Sequence, residues 1–328
     1  MKNEIPQAPH RKIPLLTAVA VTSLMSIQAQ ATNWNWNWFV PTSSFSTATI
    51  VPNVNRPDTA EGCPIESPDG LSLFIASNRP GGVPGNVGND IWVADRDSIG
   101  APFKTPRNIG EPVNSVAADF CPTPVYGRSL FFVSERVDNG TTTPPCGGGD
   151  IYLSRQSPVG EWSTPVMLGC APEGPNFSGP ERSPSLVDTG FGTYLFYSSN
   201  GGSGDQNIYV SQLQPNGKFG PGRVVKEVST ATFEDIMPNV RARDDGLFEM
   251  VFSSDRTTWG HNQPAFGKQD VYISYAFWPT GPWSEPRNLG TAVNTTGVEQ
   301  RATLSADGDR MYFGRDGDIY VSARSGRH

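Results

Sequence analysis

Apolar residues in this chain come in short runs that alternate with polar positions and are separated by clusters of Gly, Pro, Asp and Asn. That is the pattern of half-buried β-strands joined by tight turns. The runs fall into groups of four, and each group opens at an acidic residue: Glu61, Asp119, Glu181, Asp235 and Glu299, a spacing of roughly 54 to 64 residues. After the acid and the first run, a turn such as Pro68-Asp69-Gly70, Asp245-Gly246 or Asp307-Gly308 leads to a second run (Leu71 to Ser77, Ser129 to Ser134, Thr193 to Ser198, Phe248 to Ser253, Arg310 to Phe313). Asp-Gly marks a hairpin because both residues tolerate positive φ. A variable loop leads to a third run opened by Asp90, Asp150, Asn207, Asp270 or Asp318, with the alternating pattern D-I-Y/W-V-S. The fourth run begins at an aromatic (Phe103, Trp162, Phe219, Trp283) and contains a proline, which suits an edge strand.

The last group stops at its third run, and the missing strand stands at the other end: Ser44 to Asn55 aligns with the fourth runs and places Phe45 where Phe103 and Trp283 stand. An N-terminal strand that completes the last blade closes the ring and removes an exposed edge. The expected fold is therefore all-β, a five-bladed β-propeller of four-stranded antiparallel blades, occupying 44–326 as a single domain. The expected divisions are 44–56 for the last blade's outer strand, 57–114, 115–170, 171–228 and 229–294 for blades one to four, and 295–326 for blade five.

The S-P-D-G turn, the following apolar strand with S-x-R, the Gly-rich loop, D-I-Y-V-S and the ending W-S-x-P-x-N-L-G-x-x-V-N-T resemble the WD40-like, TolB-like Pro-Asp repeat of bacterial envelope proteins. The resemblance covers nearly all of 44–326, although the second and third repeats lack a clean S-P-D-G turn. It implies a propeller with binding or scaffolding roles and specifies no activity.

Composition agrees with many short strands: of 328 residues, 35 are Gly and 30 Pro, while aromatics make up 10%. A net charge of -7 without a clustered basic face excludes a nucleic-acid partner. Residues 1–31 read as a signal peptide, with Arg11 and Lys12 before an apolar stretch and cleavage near Ala31. The product is then secreted or periplasmic, without membrane insertion, and a monomer is expected. Residues 32–43 form a Trp-rich segment that either packs on the blades or binds carbohydrate. In an oxidising compartment Cys63, Cys121, Cys146 and Cys170 are expected to form two disulfides. All four map to the face that carries the acids; sequence alone leaves the other connectivities open, and the pairing expected from that shared face is Cys63 with Cys121 and Cys146 with Cys170.

That face also receives Arg79, Arg136, Arg256 and Arg315 from the ends of the second strands. Because the acid recurs in every blade, pairing with a neighbouring arginine is its first expected role. The ring would also suit Ca²⁺ through oxygen ligands; no other cofactor and no metal motif is expected. Sites that break the repeat are better candidates for ligand binding: Trp259, His261, Asn262 and Phe266 in the fourth blade's long loop, with Arg182 and Arg301 beside ring acids. The leading expectation is a non-catalytic propeller that binds a glycan, peptide or envelope protein on this loop face, more a binder than an enzyme. The alternative is a glycan-active hydrolase using channel-mouth carboxylates, since some five-bladed propellers are glycosidases, with Glu181 and Asp235 as candidate catalytic acids.

Overall fold

The computed structural model describes residues 44–325 apart from 87, 138–144, 203 and 260–262, and without the side chains of 258–259 and 263–264. The expected signal segment 1–31 and Trp-rich segment 32–43 lie outside the described residues. All described secondary structure is β, arranged as five antiparallel four-strand blades plus a small hairpin of Thr258–Trp259 and Gln263–Pro264. Blade one runs Glu61–Glu66, Ser72–Ser77, Asp90–Asp95 and Arg107–Asn108. Blade two runs Asp119–Val125, Ser129–Ser134, Asp150–Arg155 and Val166–Met167. Blade three runs Glu181–Thr189, Gly192–Ser199, Asn207–Gln212 and Arg223–Val224. Blade four runs Asp235–Ala242, Phe248–Ser254, Asp270–Ala276 and Arg287–Asn288. Blade five takes Glu299–Leu304, Arg310–Arg315 and Asp318–Ser325, and its outer position is filled by Ser44–Phe45 and Thr49–Ile50 from the other end of the chain.

The first strands contact one another around a closed ring, so they form the channel wall. Alternation within each blade sends one set of side chains to each neighbour. Leu73 and Ile75 pack with Tyr312 and Ile319 of blade five, whereas Phe74 packs with Leu130 and Phe132 of blade two. The core is accordingly a series of slabs between blades. Fourth strands are only two residues long, shorter than the apolar runs imply. Pro106, Pro165, Pro221 and Pro286 stand just before them and cannot donate to the ladder. The aromatics before these prolines still anchor the strands: Phe103, Phe219 and Trp283 are buried and Trp162 is half-buried, while Phe45 of the closing strand is buried too.

Every first strand carries a bulge at the same place, two residues after its acid. The bulged residues Cys63, Cys121, Ser183, Met237 and Arg301 all have positive φ, an arrangement the repeat alignment did not foretell. One consequence is the Cys63–Cys121 disulfide, which ties neighbouring first strands; Cys146–Cys170 is the second, as expected from their shared face. Another is Arg301, which crosses from blade five to donate to the carbonyls of Ser183, Pro184 and Pro238 and to Thr123 Oγ1 at 3.0–3.2 Å. Burial pushes its guanidinium down to about 9, so the channel is braced by a cation that no carboxylate among the described residues neutralises.

Candidate functional site

The five ring acids begin the five first strands and all are buried. Four are held by the expected arginines: Glu61 by Arg79 at 3.0 Å, Asp119 by Arg136 at 2.6 Å, Glu299 by Arg315 at 2.8 Å, and Asp235 by Arg256. Each arginine does two further jobs. It donates to a carbonyl that ends the preceding blade (Val54, Val113, Val228 or Val293), and it stacks over the aromatic of its own third strand (Trp92, Tyr152, Tyr272 or Tyr320) at 4.4–5.3 Å. The unit is thus an acid, an arginine, a ring and a carbonyl that lock two blades together. Burial raises the Asp119 and Asp235 carboxyls against the pull of their arginines and lowers Arg79 and Arg256, the cost of keeping both charges out of water.

Blade three breaks this unit. Gly201 stands two residues after Ser199, where Arg79, Arg136 and Arg256 stand two residues after Ser77, Ser134 and Ser254. A Cβ at Gly201 would lie 2.6 Å from the Tyr209 hydroxyl, and its φ is +61°, so the arginine's place is taken by the tyrosine. The carbonyl that an arginine would reach belongs to Pro175, and here the Tyr197 hydroxyl donates to it at 2.8 Å. A second supporting group is also missing. Hydroxyls of Ser115, Thr230 and Thr295 bind the acids of blades two, four and five, but the matching residue before Glu181 is Phe177.

Glu181 therefore accepts one side-chain hydrogen bond, from Ser199 at 2.7 Å, and its Oε2 has no hydrogen-bond partner of normal geometry. Burial pushes its carboxyl up to about 8; the Ser199 hydroxyl and the nearby Phe177 N–H offset part of that rise, and Asp150 adds to it. At neutral pH this carboxyl is protonated.

Asp150 is the second exception. Its counterparts Asp90 and Asp270 accept side-chain amides from Asn108 and Asn288, each at 2.8 Å. Met167 holds the matching place in blade two and donates nothing, leaving Asp150 Oδ1 buried without a partner. Its Oδ2 accepts the Cys146 N–H at 2.8 Å, and burial raises the group. Two buried carboxyls without arginines thus face each other electrostatically across the blade two to blade three boundary, beside the Cys146–Cys170 disulfide. Asp150 was not singled out in the sequence, although the Asn-to-Met exchange that isolates it is visible there.

The remaining candidates are dispersed. Arg182 lies over the Phe120 ring at 5.7 Å, and Arg301 is spent on backbone oxygens. Phe266 is half-buried, its N–H given to Asp270. His261, Asn262 and the Trp259 side chain lie outside the described residues. Among the described residues no group of three or more His, Cys, Asp or Glu is arranged to hold a metal, and no helix is long and apolar enough to cross a membrane. The blade-three substitution has a structural consequence that can be measured. Tyr197→Phe leaves the Pro175 carbonyl without its donor and is expected to cost about 1–2 kcal/mol in urea unfolding, whereas Tyr209→Phe is expected to cost less.

No protein-family model matches the chain, and no curated protein matches it. Solved structures do. The catalytic domain of a GH62 α-L-arabinofuranosidase from Coprinopsis cinerea superposes with a TM-score of 0.58 at 11% identity, covering 87% of this chain and 98% of that one. An α-L-arabinofuranosidase from Podospora anserina, solved with cellotriose, gives 0.54 at 12% identity over 88% and 98%. An endo-arabinase from Bacteroides thetaiotaomicron gives 0.52 at 15% identity over 82% and 95%. These likenesses establish the five-bladed fold. They also correct two expectations: the neighbours are arabinofuranosidase and arabinanase propellers, not WD40-like or TolB-like repeats, and their names do not support the expected non-catalytic binding role.

Proposed function

We propose that the chain is a glycan-active hydrolase in which Glu181 is the proton donor and Asp150 the carboxylate that works with it. The observation that carries this reading is the isolation of Glu181: of five equivalent acids it alone lacks an arginine, and burial holds it protonated up to about pH 8. Glycoside hydrolysis needs such an acid, which gives its proton to the glycosidic oxygen as the bond to the anomeric carbon breaks. Water then adds to that carbon and loses its proton to the second carboxylate. Asp150 suits that role because burial raises its proton affinity, the direction a general base needs, while the backbone N–H groups of Cys146 and Gly147 offset part of that rise. Asp235, the other acid considered, is neutralised by Arg256 and stays a structural group in this scheme. The loop carrying Phe177 passes against Glu181, so a sugar reaches the carboxyl when that loop moves aside.

The folds it resembles, which belong to enzymes named for arabinose-containing substrates, support arabinan and arabinoxylan as the first substrates to try. Two disulfides suit the secreted or periplasmic setting in which such polymers are met. The test is release of reducing sugar from arabinan, arabinoxylan and a panel of aryl glycosides between about pH 4, near the ordinary carboxylate range, and about pH 9, above the raised Glu181 carboxyl. Hydrolysis is expected, with turnover falling about 10²–10⁴-fold in Glu181→Gln. No hydrolysis across the panel, or undiminished turnover in that variant, overturns the reading.

A further inference from the structure

On the face opposite the acids, a groove of about 480 Å³ runs between blades one and two, within the roughly 300–1,000 Å³ typical of small-ligand clefts. A shortened turn opens it. Six residues (67–72) separate the paired Glu66 and Leu73 in blade one, and six (305–310) separate Leu304 and Met311 in blade five, but only five (125–129) separate Pro124 and Leu130 in blade two. The missing residue leaves room that the Pro-Asp-Gly turn fills in blade one. Tyr126, 56% exposed, and the half-buried Trp162 present aromatic surface to this space, with Arg107, Arg128 and Gln156 at its rim.

Lining the groove is Ser129, only 3% exposed, whose Oγ has no hydrogen-bond partner. The reason is again local. Ser72, its counterpart, donates to Asp95 at 2.7 Å, but Ser129 sits opposite Arg155, which cannot accept. A buried hydroxyl without a partner is costly in the free protein, and a ligand that settles deeply enough between the two turns to reach it relieves that cost.

We propose that this groove binds a short oligosaccharide, independently of the acids on the other face. Flat aromatic faces with hydroxyl, amide and guanidinium groups around them match sugar rings, which offer C–H faces and hydroxyls that both donate and accept. An extended peptide fits less well. The edge strands that reach the groove are the first strand of blade two, whose free edge faces the channel, and Arg107–Asn108, which at two residues is too short to template a strand.

The test is an NMR titration of the full chain carrying Glu181→Gln, which leaves sugars intact if the hydrolase reading holds, with arabino-, xylo- and galacturono-oligosaccharides. Saturable shifts are expected at Gly127, Ser129 and the Trp162 indole. Tyr126→Ala and Ser129→Ala should each weaken binding about tenfold, and Ser129→Ala should do so without lowering the melting temperature. Absence of shifts at the groove with every sugar overturns the proposal. So do shifts that both variants leave unchanged, or tighter binding of an unstructured polar peptide at the same residues. Groove binding without hydrolysis by the unmodified chain retains this proposal and discards the hydrolase; hydrolysis without groove binding does the reverse.

Discussion

Asp235→Asn is expected to lower the unfolding free energy by about 3–5 kcal/mol, because it removes the carboxylate that ion-pairs with the buried Arg256. In a domain of this size that corresponds to a fall in melting temperature of roughly 10 °C. The arginine cannot turn to water, since it is fixed between the Phe252 and Tyr272 rings and the Val228 carbonyl. Combining the change with Arg256→Met should recover most of the loss, as replacing a buried pair by apolar groups is often neutral. Denaturant unfolding of the two single variants and the double variant measures the coupling. A loss below about 1 kcal/mol in Asp235→Asn would show that the acid, arginine, ring and carbonyl unit does not lock the blades.

Glu181→Gln should behave in the opposite way. The folded carboxyl titrates at about 8 and an unfolded one at its ordinary 4.5. Below the lower value both states hold the proton and the group has no effect on stability. Between the two, the unfolded chain releases its proton while the folded chain keeps it, so the native state loses about 1.4 kcal/mol for each pH unit. Above pH 8 the penalty no longer grows. Glutamine cannot ionise, and the variant should match the parent near pH 4 and exceed it by several kcal/mol at pH 8. Unfolding of both proteins at pH 4, 6 and 8 reads the difference directly, which removes the contribution of the other buried carboxyls. A difference that stays constant with pH would mean that Glu181 is ionised in the folded state.

Much of this architecture can be read from the sequence. The acid, the Asp-Gly turn, the D-I-Y-V-S strand and the aromatic before a proline locate blades, strands and closure, because each marks a local conformational need: a hairpin, an alternating buried strand, an edge. The acid ring and four arginines are legible too, and five acids with four arginines already imply that one acid stands apart. What escaped is how residues meet across blades. The bulge that turns Cys63, Cys121, Ser183, Met237 and Arg301 out of register has no single-residue signature, and their positive φ accompanies it in every first strand. Asp150 was passed over because it belongs to the repeat; only its partner, Met167 in place of Asn, is unusual. Expected ligand residues in the long fourth-blade loop rested on composition, which says what a loop contains and nothing about what faces it.

A single position can lose its counter-charge without loss of fold. Tyr197 and Tyr209 take over the space and the carbonyl contact of the absent arginine, so the boundary between blades two and three remains closed while its acid loses a counter-charge. Replacing one cation by two rings changes the proton affinity of Glu181 more than it changes packing.

The most direct measurement is infrared difference spectroscopy of the parent against Glu181→Gln across pH, which isolates the absorption of this one carboxyl. A protonated-carboxyl band is expected at pH 7, lost with a midpoint at about 8. A carboxylate band already complete at about pH 6, as an ordinary glutamate would show, would contradict it.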